Sequence, residues 1–163
     1  EGMIIREYDL VLDEDTKHSK LEIKQSFSYN QNKFDGADKI CNFMRDNYQL
    51  HQKADEYVYI LAFNTRMRLL GIFELAHGTG DKCLVDVRGV FMRALFVGAQ
   101  SIIMVHNHPS GEVDPSDDDK LINQKLNEAG ILIGIPLIDN IIIGENTFYS
   151  LNSNITGHIE RNK

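Results

Sequence analysis

Apolar and polar positions divide the chain into several extended runs and a few helical ones. Ile4 to Leu12 and Leu21 to Phe27 are β-prone and predict two strands, joined by the polar stretch from Asp13 to Lys20. Residues 28–33 are polar and loop-like. A helix is predicted from Asp35 to about Tyr48, with Asp35 as its cap and Ala37, Ile40, Cys41 and Met44 on its apolar stripe. Tyr57 to Phe63 and Arg68 to Leu75 flank the turn Asn64-Thr65-Arg66 and predict an antiparallel hairpin. Gly78 and Gly80 mark residues 76–82 as a loop.

The second half is more regular. Val87 to Ala99 predicts a helix that can turn Val90, Phe91, Ala94, Leu95 and Val97 toward a sheet. Ser101 to Val105 has the continuous apolar character of a strand covered on both faces. Ser116 to Ala129 is the clearest helix, with Ser116 as N-cap, Asp119 in the capping-box position and Gly130 as the stop. Ile131 to Ile143 is nearly all apolar, broken at Pro136 and Asp139-Asn140, and predicts two strands with a bend between them. Thr147 to Tyr149 adds a last strand before a polar tail from Asn152. Strands interleaved with helices predict an α/β fold with a covered sheet.

Composition narrows the function. A chain of 163 residues, 42% hydrophobic, suits one domain with a real core. No apolar run reaches membrane-spanning length, and no charged-then-apolar leader opens the chain. Cys41 and Cys83 lack CxxC spacing, which argues against a thiolate zinc site. Read as reduced thiols, they place the protein in the cytoplasm. Seventeen basic against 24 acidic residues leave a net charge of −7, the wrong sign for extensive nucleic-acid contact.

The chemistry concentrates in His106-Asn-His-Pro-Ser-Gly-Glu-Val-Asp-Pro-Ser-Asp-Asp-Asp119. Histidines two residues apart share one side of an extended backbone. Here they follow the 101–105 strand, where an open α/β sheet commonly places its ligand site. Pro109, Ser110 and Gly111 turn the chain sharply, and Asp119 arrives in the first turn of the next helix. His106, His108, Asp119 and one water form a plausible zinc shell, since zinc accepts imidazole and carboxylate and a catalytic site keeps one position open. Ser116 caps the helix and is also placed to donate to an oxyanion. A hydrolytic site further needs a base, and Glu74, a carboxylate near the end of an apolar strand, is the candidate.

These residues resemble the JAB/MPN metallopeptidase signature, a distant glutamate followed by His-x-His, seven residues, Ser, two residues and Asp. Here it reads Glu74, His106-Asn107-His108, Ser116 and Asp119. His106-Asn-His-Pro-Ser-Gly111, Pro115-Ser116, Ala129-Gly130 and Leu137-Ile-Asp-Asn-Ile-Ile-Ile-Gly144 are similar to the RadC-like branch, over roughly residues 55–150. The resemblance implies a cytidine-deaminase-like three-layer α/β sandwich, with a mixed central sheet flanked by helices. It also implies one zinc per chain on His106, His108 and Asp119, with Glu74 activating the water and Ser116 stabilising the reacting carbonyl. Substrates would be peptides or proteins, isopeptide-linked tails among them, and a homodimer is compatible with this branch.

Under this reading residues 1–33 join the same globule, 34–151 form the catalytic core and 152–163 a polar tail. Two positions depart from the branch, which often has His-Pro-Arg-Glu at Asp86-Val87-Arg88-Gly89 and histidine at Asn140. Nothing reads as the helix-hairpin-helix region of full-length members, which further weakens direct nucleic-acid binding. The rival readings are a metal-dependent nuclease or deamidase, and a non-catalytic binding module that keeps a metal for stability.

Overall fold

The computed structural model describes residues 2–31, 33–78 and 85–159. Among these residues eight strands form one mixed sheet in the order β2-β1-β4-β3-β5-β6-β7-β8. They are β1 (Met3–Leu12), β2 (Ser19–Tyr29), β3 (Glu56–Phe63), β4 (Leu69–Gly78), β5 (Ser101–Asn107), β6 (Leu137–Ile143), β7 (Thr147–Ser150) and β8 (Ile155–His158). β1 runs parallel to β4 and β5 parallel to β6, while the other neighbours are antiparallel. Among the described residues three α-helices flank the sheet: α1 (Ala37–Tyr48), α2 (Val87–Phe96) and α3 (Asp117–Ile133).

Side-chain alternation along the central strands divides the core in two. Tyr59, Leu61, Phe63, Ile103 and Val105 face one way and pack with Ile40, Cys41, Phe43 and Met44 of α1. Val58, Ile60, Ala62, Ile102 and Met104 face the other way, onto Val90, Phe91 and Ala94 of α2 and Leu126 of α3. β5 is buried along its whole length, as its apolar sequence requires. The path from β5 through α3 to the parallel strand β6 sets the N-terminus of α3 beside the C-terminal end of β5.

Several expected boundaries move. Gly36 rather than Asp35 is the N-cap of α1, and Asp35 instead pairs with Lys39. β4 continues through residues expected to be loop, as far as Gly78, because it pairs with β3 to its end. α2 stops at Phe96 rather than Ala99. α3 runs past Gly130 to Ile133 and stops at Gly134, whose φ of 84° is the left-handed conformation that favours glycine. Gly130 has a different reason to be small: a Cβ there would sit 2.6 Å from the Ile135 carbonyl oxygen. The apolar run from Ile131 therefore begins as exposed helix and only later becomes strand. β8 lies within the stretch read as polar tail. Gly80 and Cys83 lie outside the described residues, whereas Cys41 is a buried free thiol whose pKa burial pushes up. No helix among the described residues is long and apolar enough to cross a membrane.

Candidate metal centre

The site grows out of the end of β5. By strand alternation His106 follows Ile102 and Met104 onto the face covered by α2 and α3. It is fully buried, and neither ring nitrogen has a well-directed hydrogen bond. His108 comes just after the strand, where its backbone N–H still donates to Ile143 O at 3.2 Å. The chain then turns: Gly111 N–H donates to His108 O at 2.9 Å, with Gly111 at φ 84°. The turn brings the Glu112 carbonyl 3.0 Å from His108 Nδ1. That carbonyl can only accept, so Nδ1 carries a proton and Nε2 is the ring nitrogen that could coordinate a metal.

α3 supplies the third side chain. Ser116 Oγ accepts from Asp119 N–H at 3.0 Å, and Asp119 Oδ2 accepts from Ser116 N–H at 2.9 Å, a complete capping box. The box orients the carboxylate as well as starting the helix. Asp119 Oδ2 lies 3.1 Å from His108 Nε2, and Oδ1 lies 3.3 Å from His106 Nε2.

The fourth group is Glu56, at the first position of β3. It is 8% exposed, with Oε1 3.9 Å from His106 Nε2. One donor atom from each of Glu56, His106, His108 and Asp119 lies within 4.8 Å of the others. Ligands about 2.0–2.2 Å from a tetrahedral zinc stand roughly 3.3–3.6 Å apart, close to the spacings found. The unsatisfied nitrogens of buried His106 are a second sign of fit, because buried polar atoms rarely lack a partner.

Electrostatics tie the group together. Burial works against a charged His108, but the hydrogen bond and the charge of Asp119 outweigh it and raise the imidazole pKa. Burial likewise opposes a charged Asp119, yet the two imidazoles beside it, His106 at 3.3 Å and the hydrogen-bonded His108 at 3.1 Å, hold its carboxyl well below the usual carboxylate range. A carboxylate that stays ionised beside two imidazoles is a pre-charged seat for a cation.

His106, His108, Ser116 and Asp119 are thus brought together. Glu74 stands elsewhere. It is opposite Tyr59 in the β3–β4 ladder, 3.4 Å from the Tyr59 hydroxyl and 3.8 Å from Lys24 Nζ. Tyr59 belongs to the α1-side core, so Glu74 lies on the sheet face opposite the histidines. Its neighbour there is Glu7, fully buried, which accepts from Gln25 Nε2 at 2.7 Å and the Tyr48 hydroxyl at 2.9 Å and lies 3.3 Å from Lys24. The carboxylate that joins the histidines is Glu56, which the sequence reading missed. Its signal was an acidic residue bordering an apolar strand whose start meets the end of the histidine strand.

His77 pairs with Asp55 at 2.9 Å and stacks on Tyr57. Arg93 donates to the Gly89 carbonyl. Asp139 organises its loop, accepting from Ser150 Oγ and the backbone of Asn140 and Asn152. Asn140, where the branch often has histidine, is fully buried and donates to Asn123.

A model of the RadC-like JAB domain matches residues 34–156. A UPF0758 protein of Thermotoga maritima is 33% identical over 118 residues, covering 72% of this chain and 52% of the relative. One from Alkaliphilus metalliredigens is 37% identical over 122 residues, with 75% and 52% covered. One from Desulforudis audaxviator is 42% identical over 96 residues, with 59% and 42% covered. The chain spans about half the length of the curated relatives it matches.

Proposed function

The chain belongs to the RadC-like JAB family, and from that premise we propose that it is a zinc-dependent hydrolase of amide bonds, a metallopeptidase or isopeptidase. The observation that carries the reading is the convergence of Glu56, His106, His108 and Asp119 at the end of β5. This Glu-His-His-Asp set is of the JAMM type, which in this family goes with metal-dependent hydrolase and protease chemistry. On the same resemblance we assign the cytidine-deaminase-like arrangement to the architecture and the catalytic core to residues 34–151.

His106, His108 and Asp119 would hold one zinc per chain, leaving an open position for water. When bound, the metal supplies Lewis acidity toward that water and toward the scissile carbonyl. Glu56 accepts the proton the attacking water gives up and delivers it to the departing amine. This role moves from Glu74 to Glu56 because a base must lie within reach of the reacting atoms, and Glu74 faces the other side of the sheet. Ser116 Oγ accepts from Asp119 N–H, and its own proton is available to the carbonyl oxygen as that atom gains charge. A peptide or protein substrate, including an isopeptide-linked tail, fits this chemistry.

Elemental analysis of the purified protein tests the reading. About one zinc per chain is expected in the wild type and in Glu56→Gln, and none in His108→Ala or Asp119→Ala. Amide hydrolysis in a peptide and isopeptide screen should be lost in Glu56→Gln and kept in Glu74→Gln. A wild-type protein that takes up no zinc when the ion is added to the folded chain would refute the proposal.

A further inference from the structure

Asn107 stands between the two histidines. In extended backbone the residue between two same-face side chains points to the opposite face, so Asn107 is directed away from the ligands. It is 1% exposed, and both polar atoms of its side chain are hydrogen-bonded. Oδ1 accepts from Tyr57 N–H at 2.7 Å, and Nδ2 donates to the Asp55 carbonyl at 3.0 Å. Those two backbone groups flank Glu56 on either side.

The placement matters because of where the ladder ends. Main-chain pairing between β3 and β5 stops at Val58–His106, two residues short of Glu56. Beyond that point the Asn107 carboxamide takes over and bonds to the β3 backbone as a further peptide group would. Only a carboxamide side chain offers a donor and an acceptor side by side without charge. Aspartate lacks the donor, and leucine has similar bulk with neither. On its other side the start of β3 is still paired with β4, Glu56 standing opposite Gly78, but a reacting constellation must be held to within about 0.5 Å, and Asn107 adds the missing hold on the side that faces the histidine strand.

We infer that Asn107 is a positioning residue: by clamping the backbone on both sides of Glu56, it aims that carboxylate into the space between His106, His108 and Asp119. The inference rests on the role given to Glu56 above. It also accounts for the middle residue of the His-x-His run, which the ligand set leaves unexplained. The less specific alternative is that Asn107 only satisfies two buried backbone groups and has no influence on Glu56.

Carbon-13 labelling of glutamate side-chain carboxyls separates the two. The Glu56 resonance is identified by its loss in Glu56→Gln and followed as zinc is added. In the wild type, zinc displaces it. In Asn107→Leu the three metal ligands are untouched, so zinc still binds, but the Glu56 resonance should lose most of that displacement. Asn107→Asp keeps the acceptor for Tyr57 N–H and loses the donor to Asp55, and should fall between. A wild-type displacement in Asn107→Leu, with only thermal stability lowered, would overturn the inference. Should the leucine variant not fold, a wild-type displacement in Asn107→Asp would overturn it equally. A Glu56 resonance that ignores zinc even in the wild type would remove the Glu56 assignment itself, and this inference with it.

Discussion

Ser116 caps α3 and is proposed to stabilise the reacting carbonyl, two roles that one substitution can pull apart. Ser116→Ala deletes the 3.0 Å bond from Asp119 N–H to Oγ. Loss of an N-cap hydroxyl costs about 1 kcal/mol. For a domain of this size that lowers Tm by roughly 2–4 °C. The other half of the capping box survives, because Ser116 N–H donates to Asp119 Oδ2 from the backbone, at 2.9 Å, and alanine has the same N–H. Asp119 therefore keeps its orientation toward His106 and His108, and the variant should still bind zinc. If the hydroxyl also stabilises charge on the substrate oxygen, kcat falls by about 100-fold or more, far beyond anything the small stability loss produces. Ser116→Thr, which keeps the hydroxyl, should restore most of both. The measurements are Tm with and without zinc, zinc content, and kcat on an amide substrate from the screen. Unchanged kcat with lowered Tm would reduce Ser116 to a cap. Loss of zinc would show that the hydroxyl, and not the backbone bond, fixes Asp119.

The metal-free and zinc-loaded proteins should respond to pH in opposite directions near neutrality. His108 has a raised pKa in the metal-free fold, so its contribution is complete below the ordinary histidine value of 6.5 and is lost as pH rises through the folded value. Asp119 has a lowered pKa, so its contribution is complete above the ordinary carboxylate value of 3.8 and is lost only as pH falls through the folded one. Zinc requires neutral imidazoles, so its stabilisation grows with pH. Thermal unfolding across this range with chelator and with zinc checks the contrast, and parallel curves would refute it. Glu7→Ala should cost about 2–4 kcal/mol, because the buried Tyr48 hydroxyl loses its acceptor and Lys24 loses the nearer of its two carboxylates. Urea unfolding measures this, and a loss below about 0.5 kcal/mol would contradict the packing described. Glu74→Gln should leave zinc content unchanged and cost less than about 1 kcal/mol, since Glu74 and Lys24 are both partly exposed.

What the sequence disclosed about the site was the part that is local in the chain. His106, His108, Ser116 and Asp119 fall within fourteen residues, and the rules that bring them together have short range. Period-two alternation puts the histidines on one side, Gly111 allows the turn, and capping chemistry fixes Asp119. Glu56 obeys no such rule. It reaches His106 only because β3 lies antiparallel to β5 with Val58 opposite His106, a register set by contacts between strands far apart in sequence. From the letters alone, Glu56 and Glu74 are two carboxylates in or beside apolar strands. Their faces differ because the β3–β4 ladder shifts register between Val58 and Tyr59, and a one-residue slip exchanges the faces of everything beyond it. The same limit explains the helix end. Gly130 looks like a stop, but its small size admits the approach of Ile135, and the left-handed residue that ends α3 is Gly134. It explains Asn107 as well, whose place between the histidines is plain in the sequence while its two partners, Asp55 and Tyr57, are fixed by the sheet. The proposed metal ligands are thus written into one short stretch, whereas the proposed base, Glu56, and the side chain that holds the backbone beside it are written into the pairing of β3 with β5.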